Sequence, residues 1–164
     1  MRKAINRTKG NIHIIGIDPG KSGGIARIIT RDEYTIGKQE YWTAYKCPKT
    51  INEMTDILKT FKTFAIKPKC FLESVHAFPT DARSSAFKFG MNFGIWQGIL
   101  SALNIEIEFI TPQKWQKHFA PLPKIKKDRK NKLKQIAIEK TQIKATLNTA
   151  DALCIAVYGY ENSI

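Results

Sequence analysis

The sequence predicts an α/β protein in which a mixed five-stranded sheet carries a hairpin and is flanked by helices. Three observations support this. Short β-branched runs alternate with longer stretches of helical spacing. Two of the strand-like runs lie close enough for a hairpin. Hydrophobic residues make up 43% of a 164-residue chain, enough for a core without disulfide staples and too many for general disorder.

The elements follow in order. Residues 12–18 form an apolar run halted by Pro19-Gly20, a buried strand and turn. Residues 24–30 and 33–42 are β-branched and aromatic, and read as a hairpin around Arg31-Asp32. Ile51, Met54, Leu58 and Phe61 mark a helix over 51–64, and residues 70–75 a short strand. Residues 83–103 read as a helix with Phe89, Phe93, Trp96 and Leu100 on one stripe and Gly90, Gly94 and Gly98 on another. Each helical glycine costs about 1 kcal/mol against alanine. Three in line therefore call for a closely approaching backbone, either this chain's own sheet or a second subunit. Residues 105–110 alternate like a half-exposed strand, and Thr111-Pro112 reads as an N-cap and first helical position. A helix over 125–144 places Leu133, Ile136, Ala137, Lys140 and Ile143 on one face, and residues 148–160 read as an apolar helix starting near Asn148 or Thr149. No repeat or Gly/Ser linker divides the chain. The expectation is a basic tail over 1–10 and one domain over 11–164.

The formal net charge is +13. Residues 114–144 hold eleven basic side chains against only Asp128 and Glu139, and residues 1–10 add Arg2, Lys3, Arg7 and Lys9. Elsewhere the charges balance. A short charge run is usually a solvated face, but an uncompensated excess of this size fits a phosphate backbone that neutralises it. A membrane surface would need bulky apolar anchors beside the lysines; nucleic acid is the better partner. Lys114, Lys117, Lys124, Lys126, Lys127, Arg129, Lys130 and Lys134 are the expected DNA contacts. Their lysine bias suits backbone holding over base reading. No run is long enough to span a bilayer, and 12–17 is too short and interrupted for a signal peptide. Cys47, Cys70 and Cys154 are odd in number and far apart, matching neither a disulfide framework nor a zinc spacing. An intracellular, reducing compartment is expected, with no membrane association.

Against that basic background, three acids stand out in apolar surroundings: Asp18 after the first strand, Glu73 in Phe71-Leu72-Glu73-Ser74-Val75, and Asp151 in an apolar helix. A buried, unpaired carboxylate is costly. Asp151 alone could serve the start of its helix, but three such acids point to hard divalent cations. Two ions about 3.5–4 Å apart can drive phosphodiester cleavage. The glycine-rich turn after Asp18 could instead cradle phosphate, as in sugar kinases, but those enzymes normally need two such domains. No Ser has a His–acid partnership, and His13, His76 and His118 lack ligand spacing; His13 reads as structural.

Ile15-Gly16-Ile17-Asp18-Pro19-Gly20, Phe71-Leu72-Glu73-Ser74-Val75-His76, Phe89-Gly90, Ile110-Thr111-Pro112-Gln113-Lys114-Trp115 and Ala150-Asp151-Ala152-Leu153, in this order, resemble the RuvC family of Holliday junction resolvases. The pattern is most similar to the short phage-type and organellar-type members and covers nearly the whole chain. The resemblance implies an RNase H-like fold, a homodimer, and Mg²⁺-dependent nicking, with Mn²⁺ as substitute and two ions per site. The implied substrate is a four-way DNA junction cut by paired nicks, with no small-molecule cofactor. Asp18, Glu73 and Asp151 match the family's metal-binding carboxylates. Asn148 stands where the family commonly has Asp or His, so it would be a neutral ligand or leave that ion more weakly held. His76 and Phe78 fall where family members probe the junction centre. Another RNase H-like nuclease and a non-catalytic junction-binding protein are the alternatives.

Overall fold

A computed structural model of the chain describes residues 11–33, 37–63, 67–74 and 82–163. The order is β1 (His13–Asp18), β2 (Gly24–Glu33), β3 (Gly37–Lys46), α1 (Ile51–Lys62), β4 (Lys69–Glu73), α2 (Arg83–Ala102), β5 (Glu106–Ile110), α3 (Pro112–His118), α4 (Lys126–Thr141) and α5 (Ala150–Ser163). The strands form one five-stranded sheet in the order β3-β2-β1-β4-β5. β1, β2 and β3 pair antiparallel, whereas β1–β4 and β4–β5 are parallel, so the sheet is mixed as expected. The basic tail over 1–10 and the junction-probing candidates His76 and Phe78 lie outside the described residues.

β1 is buried on both faces, and its period-2 alternation assigns its side chains to two cores. Ile14 packs with Phe71, Trp115, Leu133 and the apolar side chains of α5. Ile15 and Ile17 pack with Met54, Leu58 and Phe61 of α1 and Trp96 and Leu100 of α2. α5 lies directly on β1: a methyl at Gly16 would stand 2.4 Å from the Ala152 carbonyl oxygen, so only glycine allows that approach.

Capping follows the sequence closely. Thr50 and Glu53 form a reciprocal capping box at the start of α1, and the Thr111 hydroxyl accepts the Lys114 N–H at 3.3 Å with Pro112 in the first turn of α3.

Four expectations change. Arg31 and Asp32 are not the hairpin turn; they remain in β2, paired with Gln39 and Lys38. Pairing with β1 stops at Ile29, so this end of the hairpin runs on past the part of β2 that β1 covers. Among the described residues of the hairpin, Gly37 has a positive φ, at 75°. Lys140 does not face the core. Its ammonium pairs with Glu161 at 2.8 Å, while Thr141 is buried with its hydroxyl donating to the Ala137 carbonyl at 2.6 Å. α4 stops at Thr141 because Gln142 is left-handed, at φ 58°, so Ile143 packs on the core from beyond the helix. Finally, the glycine line of α2 does not meet this chain's own sheet. Gly90, Gly94 and Gly98 are exposed, and an added methyl on any of them would meet no described atom within 4 Å. α2 packs instead through buried Trp96 and Leu100, with Phe93, Ile95 and Ile99 half-buried.

Candidate active site

The sheet register brings the acids together. Asp18 has the same parity on β1 as Ile14 and Gly16, and Glu73 the same parity on β4 as Phe71, so both point to the face covered by α5. Ile17 is the register partner of Leu72, which sets Asp18 abreast of Glu73 at the carboxyl ends of two parallel strands. That is where open α/β sheets generally hold their ligands. α5 begins over the same ends and carries Asp151 in its first turn. All three carboxylates line one cleft of about 480 Å³.

The turn after β1 is tightly built. Gly20 has φ 113° and donates its N–H to Asn92 Oδ1 at 2.8 Å, and Gly23 N–H donates to the Gly20 carbonyl at 3.0 Å. A methyl at Gly23 would overlap the Asp18 carbonyl oxygen, so the turn can close over the acid only with glycine there. On the other side, α3 follows β5 through the Thr111 cap and turns Trp115 inward. The Trp115 indole N–H donates to Glu73 Oε1 at 2.8 Å, with both groups buried.

Burial pushes the Asp18 carboxyl well above the usual carboxylate range, and the charges of Glu73 and Asp151 push the same way against Lys130. Glu73 is also raised by burial and by Asp151, while hydrogen bonds from Trp115 and Asp18 work in the opposite direction. Burial and mutual repulsion thus raise the proton affinity of both carboxyls, that of Asp18 more strongly. Asp151 is compensated separately by Lys130 Nζ, 3.3 Å from its Oδ2.

Among the described residues, no three Asp, Glu, His or Cys side chains are grouped closely enough to hold an ion as they stand. The donor chemistry nevertheless fits Mg²⁺, which commonly takes one or two carboxylates and fills its remaining positions with water and phosphate oxygens. Asp18 and Glu73, which line the same cleft, are such an oxygen set. Asn148 sits at the edge of this region. Its Nδ2 donates to the Ser22 carbonyl at 2.9 Å, tying the glycine-rich turn to the start of α5.

Of the basic candidates, Lys126, Arg129 and Lys130 line the cleft. Arg129 also closes the preceding loop by donating to the Lys124 carbonyl at 3.0 Å. Lys114 faces elsewhere, 3.7 Å from Glu108 and over the Tyr158 ring. Lys117, Lys124 and Lys127 are exposed and Lys134 half-buried, all outside the cleft lining. Sequence reasoning missed Lys21, which lines the cleft, and the roles of Trp115 and Asn92. Trp115 lay in a quoted motif, but nothing in its local pattern shows where its N–H points.

A mixed five-stranded sheet in this order, flanked by helices, is the RNase H-like fold. Among solved structures, the chain is similar to Thermus thermophilus RuvC in complex with a Holliday junction substrate, at a TM-score of 0.63 and 13% identity over 93% of this chain and 94% of that one. A second Thermus thermophilus RuvC structure aligns at a TM-score of 0.61 and 15% identity, over 93% and 95% of the two chains. At such identity the likeness is one of fold. No family model matches the chain, and no curated protein sequence does.

Proposed function

We propose that this chain is a structure-selective endodeoxyribonuclease that nicks four-way DNA junctions with Mg²⁺ and acts as a homodimer. The observation that carries the reading is the meeting of Asp18, Glu73 and Asp151 in one cleft rimmed by Lys21, Lys126, Arg129 and Lys130. A small-molecule hydrolase has little use for such a rim; a phosphodiester strand needs cations along its backbone and acids at the bond that breaks. The solved RuvC bound to a Holliday junction substrate supports the choice of DNA.

Asp18 and Glu73 would hold the divalent cation, with Asp151 as a third oxygen donor of the same cleft and Asn148 as an outlying amide. A bound cation would polarise the attacking water and offset charge on the departing oxygen. The chain's own groups do the rest. Trp115 fixes the Glu73 carboxylate, the Gly20–Gly23 turn fixes Asp18, and Lys126, Arg129 and Lys130 position the strand and neutralise its phosphates. The exposed glycine line of α2, beside exposed Phe87, is the surface offered to the second subunit. A two-fold dimer presents two equivalent sites to opposed strands.

The deciding experiment uses labelled four-way junction, duplex and RNA–DNA hybrid with wild-type protein and Asp18→Asn. Mg²⁺-dependent nicks in the junction alone, lost in the variant while binding persists, are expected. Nicks retained by Asp18→Asn would reject the site, and preferential cutting of the hybrid would reject the substrate. Binding without nicks at any Mg²⁺ or Mn²⁺ concentration would reject the nuclease.

A further inference from the structure

A second cavity of about 680 Å³ opens on the other side of the Gly20 turn, between the end of β3, the start of α1 and the first half of α2. Its chemistry is two-sided. Lys21, Lys46, Lys49 and Lys88 stand around it, Phe89 and Met91 are among its apolar lining, and no acidic side chain lines it among the described residues. All four lysines are exposed, so their side chains can reach a ligand from solvent.

The cavity adjoins the catalytic cleft. Gly20, Lys21 and Phe89 border both. The Asn92 bond to Gly20 fixes the wall between them at 2.8 Å. The Phe89 ring is stacked on Phe93, with planes 11° apart and centroids 6.4 Å apart, so one ring of the cavity is braced from behind.

We propose that this cavity is a binding groove for a single DNA strand running on from the catalytic cleft, with backbone phosphates on Lys46, Lys49 and Lys88 and a base against Phe89 and Met91. The inference rests on the nuclease reading and extends it with a strand path. Charge complementarity selects a polyanion. The recessed apolar lining selects a single strand, because duplex bases are stacked inside the helix and cannot reach a pocket floor, whereas each unpaired base has a free π-face. Lysines in place of arginines suit phosphate holding without base reading. The volume lies within the range of about 300–1,000 Å³ usual for pockets that enclose an organic ligand.

The test uses the full chain, a short labelled oligothymidylate, the matching duplex, and an oligonucleotide carrying 5-iodouracil for photocrosslinking. Wild-type protein is expected to bind the single strand more tightly than the duplex and to crosslink within α2 near Phe89 and Met91. Lys46→Glu with Lys88→Glu should lower single-strand affinity by about tenfold or more and reduce the slope of log affinity against log salt by at least about 1.4, roughly 0.7 per lost cation. Met91→Gln should lower the affinity without changing the slope. All three substitutions are at exposed positions, and thermal melting verifies that each variant is folded. Unchanged affinity and slope in the double variant, a crosslink confined to α4, or equal binding of duplex would overturn the groove. A wild type that crosslinks as expected but never nicks junctions leaves the groove standing and removes the nuclease reading. A double variant that still nicks and binds single strands like wild type does the reverse.

Discussion

Trp115 donates its indole N–H to Glu73 Oε1 at 2.8 Å, a bond between residues 42 positions apart and closed to solvent. It holds one carboxylate oxygen of a buried acid in a fixed direction. Trp115→Phe keeps most of the ring volume and removes the donor. The expected cost is about 1.5–3 kcal/mol of stability, the usual value for a hydrogen bond to a charged group. Nicking should also need more Mg²⁺ for half-maximal rate, because Glu73 would lose the donor that favours its charged, cation-binding form. A variant that melts like wild type and nicks at the same Mg²⁺ concentration would show that the bond does neither job.

Asp18 sets a pH dependence of stability. Its proton affinity is higher in the folded chain than in the unfolded one, through burial and the charges of Glu73 and Asp151. The stabilisation is therefore complete below the unfolded carboxylate value, and it is lost as pH climbs from there through the raised folded one. Asp18→Asn is neutral throughout and escapes that loss. The metal-free variant should melt higher than wild type at neutral pH, by about 2–4 °C for each kcal/mol relieved. The difference should vanish toward about pH 4, near the unperturbed value. Equal melting temperatures across that range would mean the carboxyl is not strained.

The basic rim is divided by position. Lys126 and Arg129 line the cleft, whereas Lys114 is engaged with Glu108. Lys126→Ala with Arg129→Ala should weaken junction binding and flatten its salt slope by close to 2, about 0.9 per cation. Lys114→Ala should change the slope by much less. Equal effects would show that the whole basic segment is used without regard to the cleft.

The open glycine line of α2 separates folding from association. Gly94→Ala meets no described atom within 4 Å, so it should stabilise the helix by about 1 kcal/mol, the ordinary Gly-to-Ala gain. Gly94→Arg should leave the monomer folded and abolish the dimer in sedimentation. Wild-type protein that sediments as a monomer would remove the assigned role of this surface.

Gly16 lies where β1 meets α5, and a side chain there would strike the Ala152 carbonyl and the Ala156 N–H region at 2.4 and 2.5 Å. Gly16→Ala should displace α5 from β1, cost about 1–3 kcal/mol as overpacking does, and move Asp151 away from Asp18. A loss of nicking larger than the loss of folded protein is expected. Wild-type melting and activity would show that the contact can relax.

The elements themselves were legible in the sequence because their signals are local. The Thr111 cap, the helical spacing of α1, the apolar run of α5 and the β-branched run of β1 are each read within a few neighbours. The three acids also stood out, since a carboxylate within apolar sequence is costly wherever it ends up. The boundaries that shifted depended on context. Arg31 and Asp32 stay extended because β3 pairs with them, and α4 ends where Gln142 turns left-handed.

What the sequence determined by itself, then, was which groups are unusual: the acids Asp18, Glu73 and Asp151, the basic run over 114–144, and the glycines spaced along α2. Only the tertiary structure decided which of them meet. Register and strand parity set Asp18 beside Glu73, α5 delivers Asp151, and a tryptophan that looked merely apolar turns its N–H to Glu73. The same packing left the α2 glycines facing outward and opened a lysine-rimmed groove beside the cleft. The physical reason is range: capping and periodicity act over a few residues, whereas a carboxylate's partners are chosen by how sheet and helices pack across the whole chain.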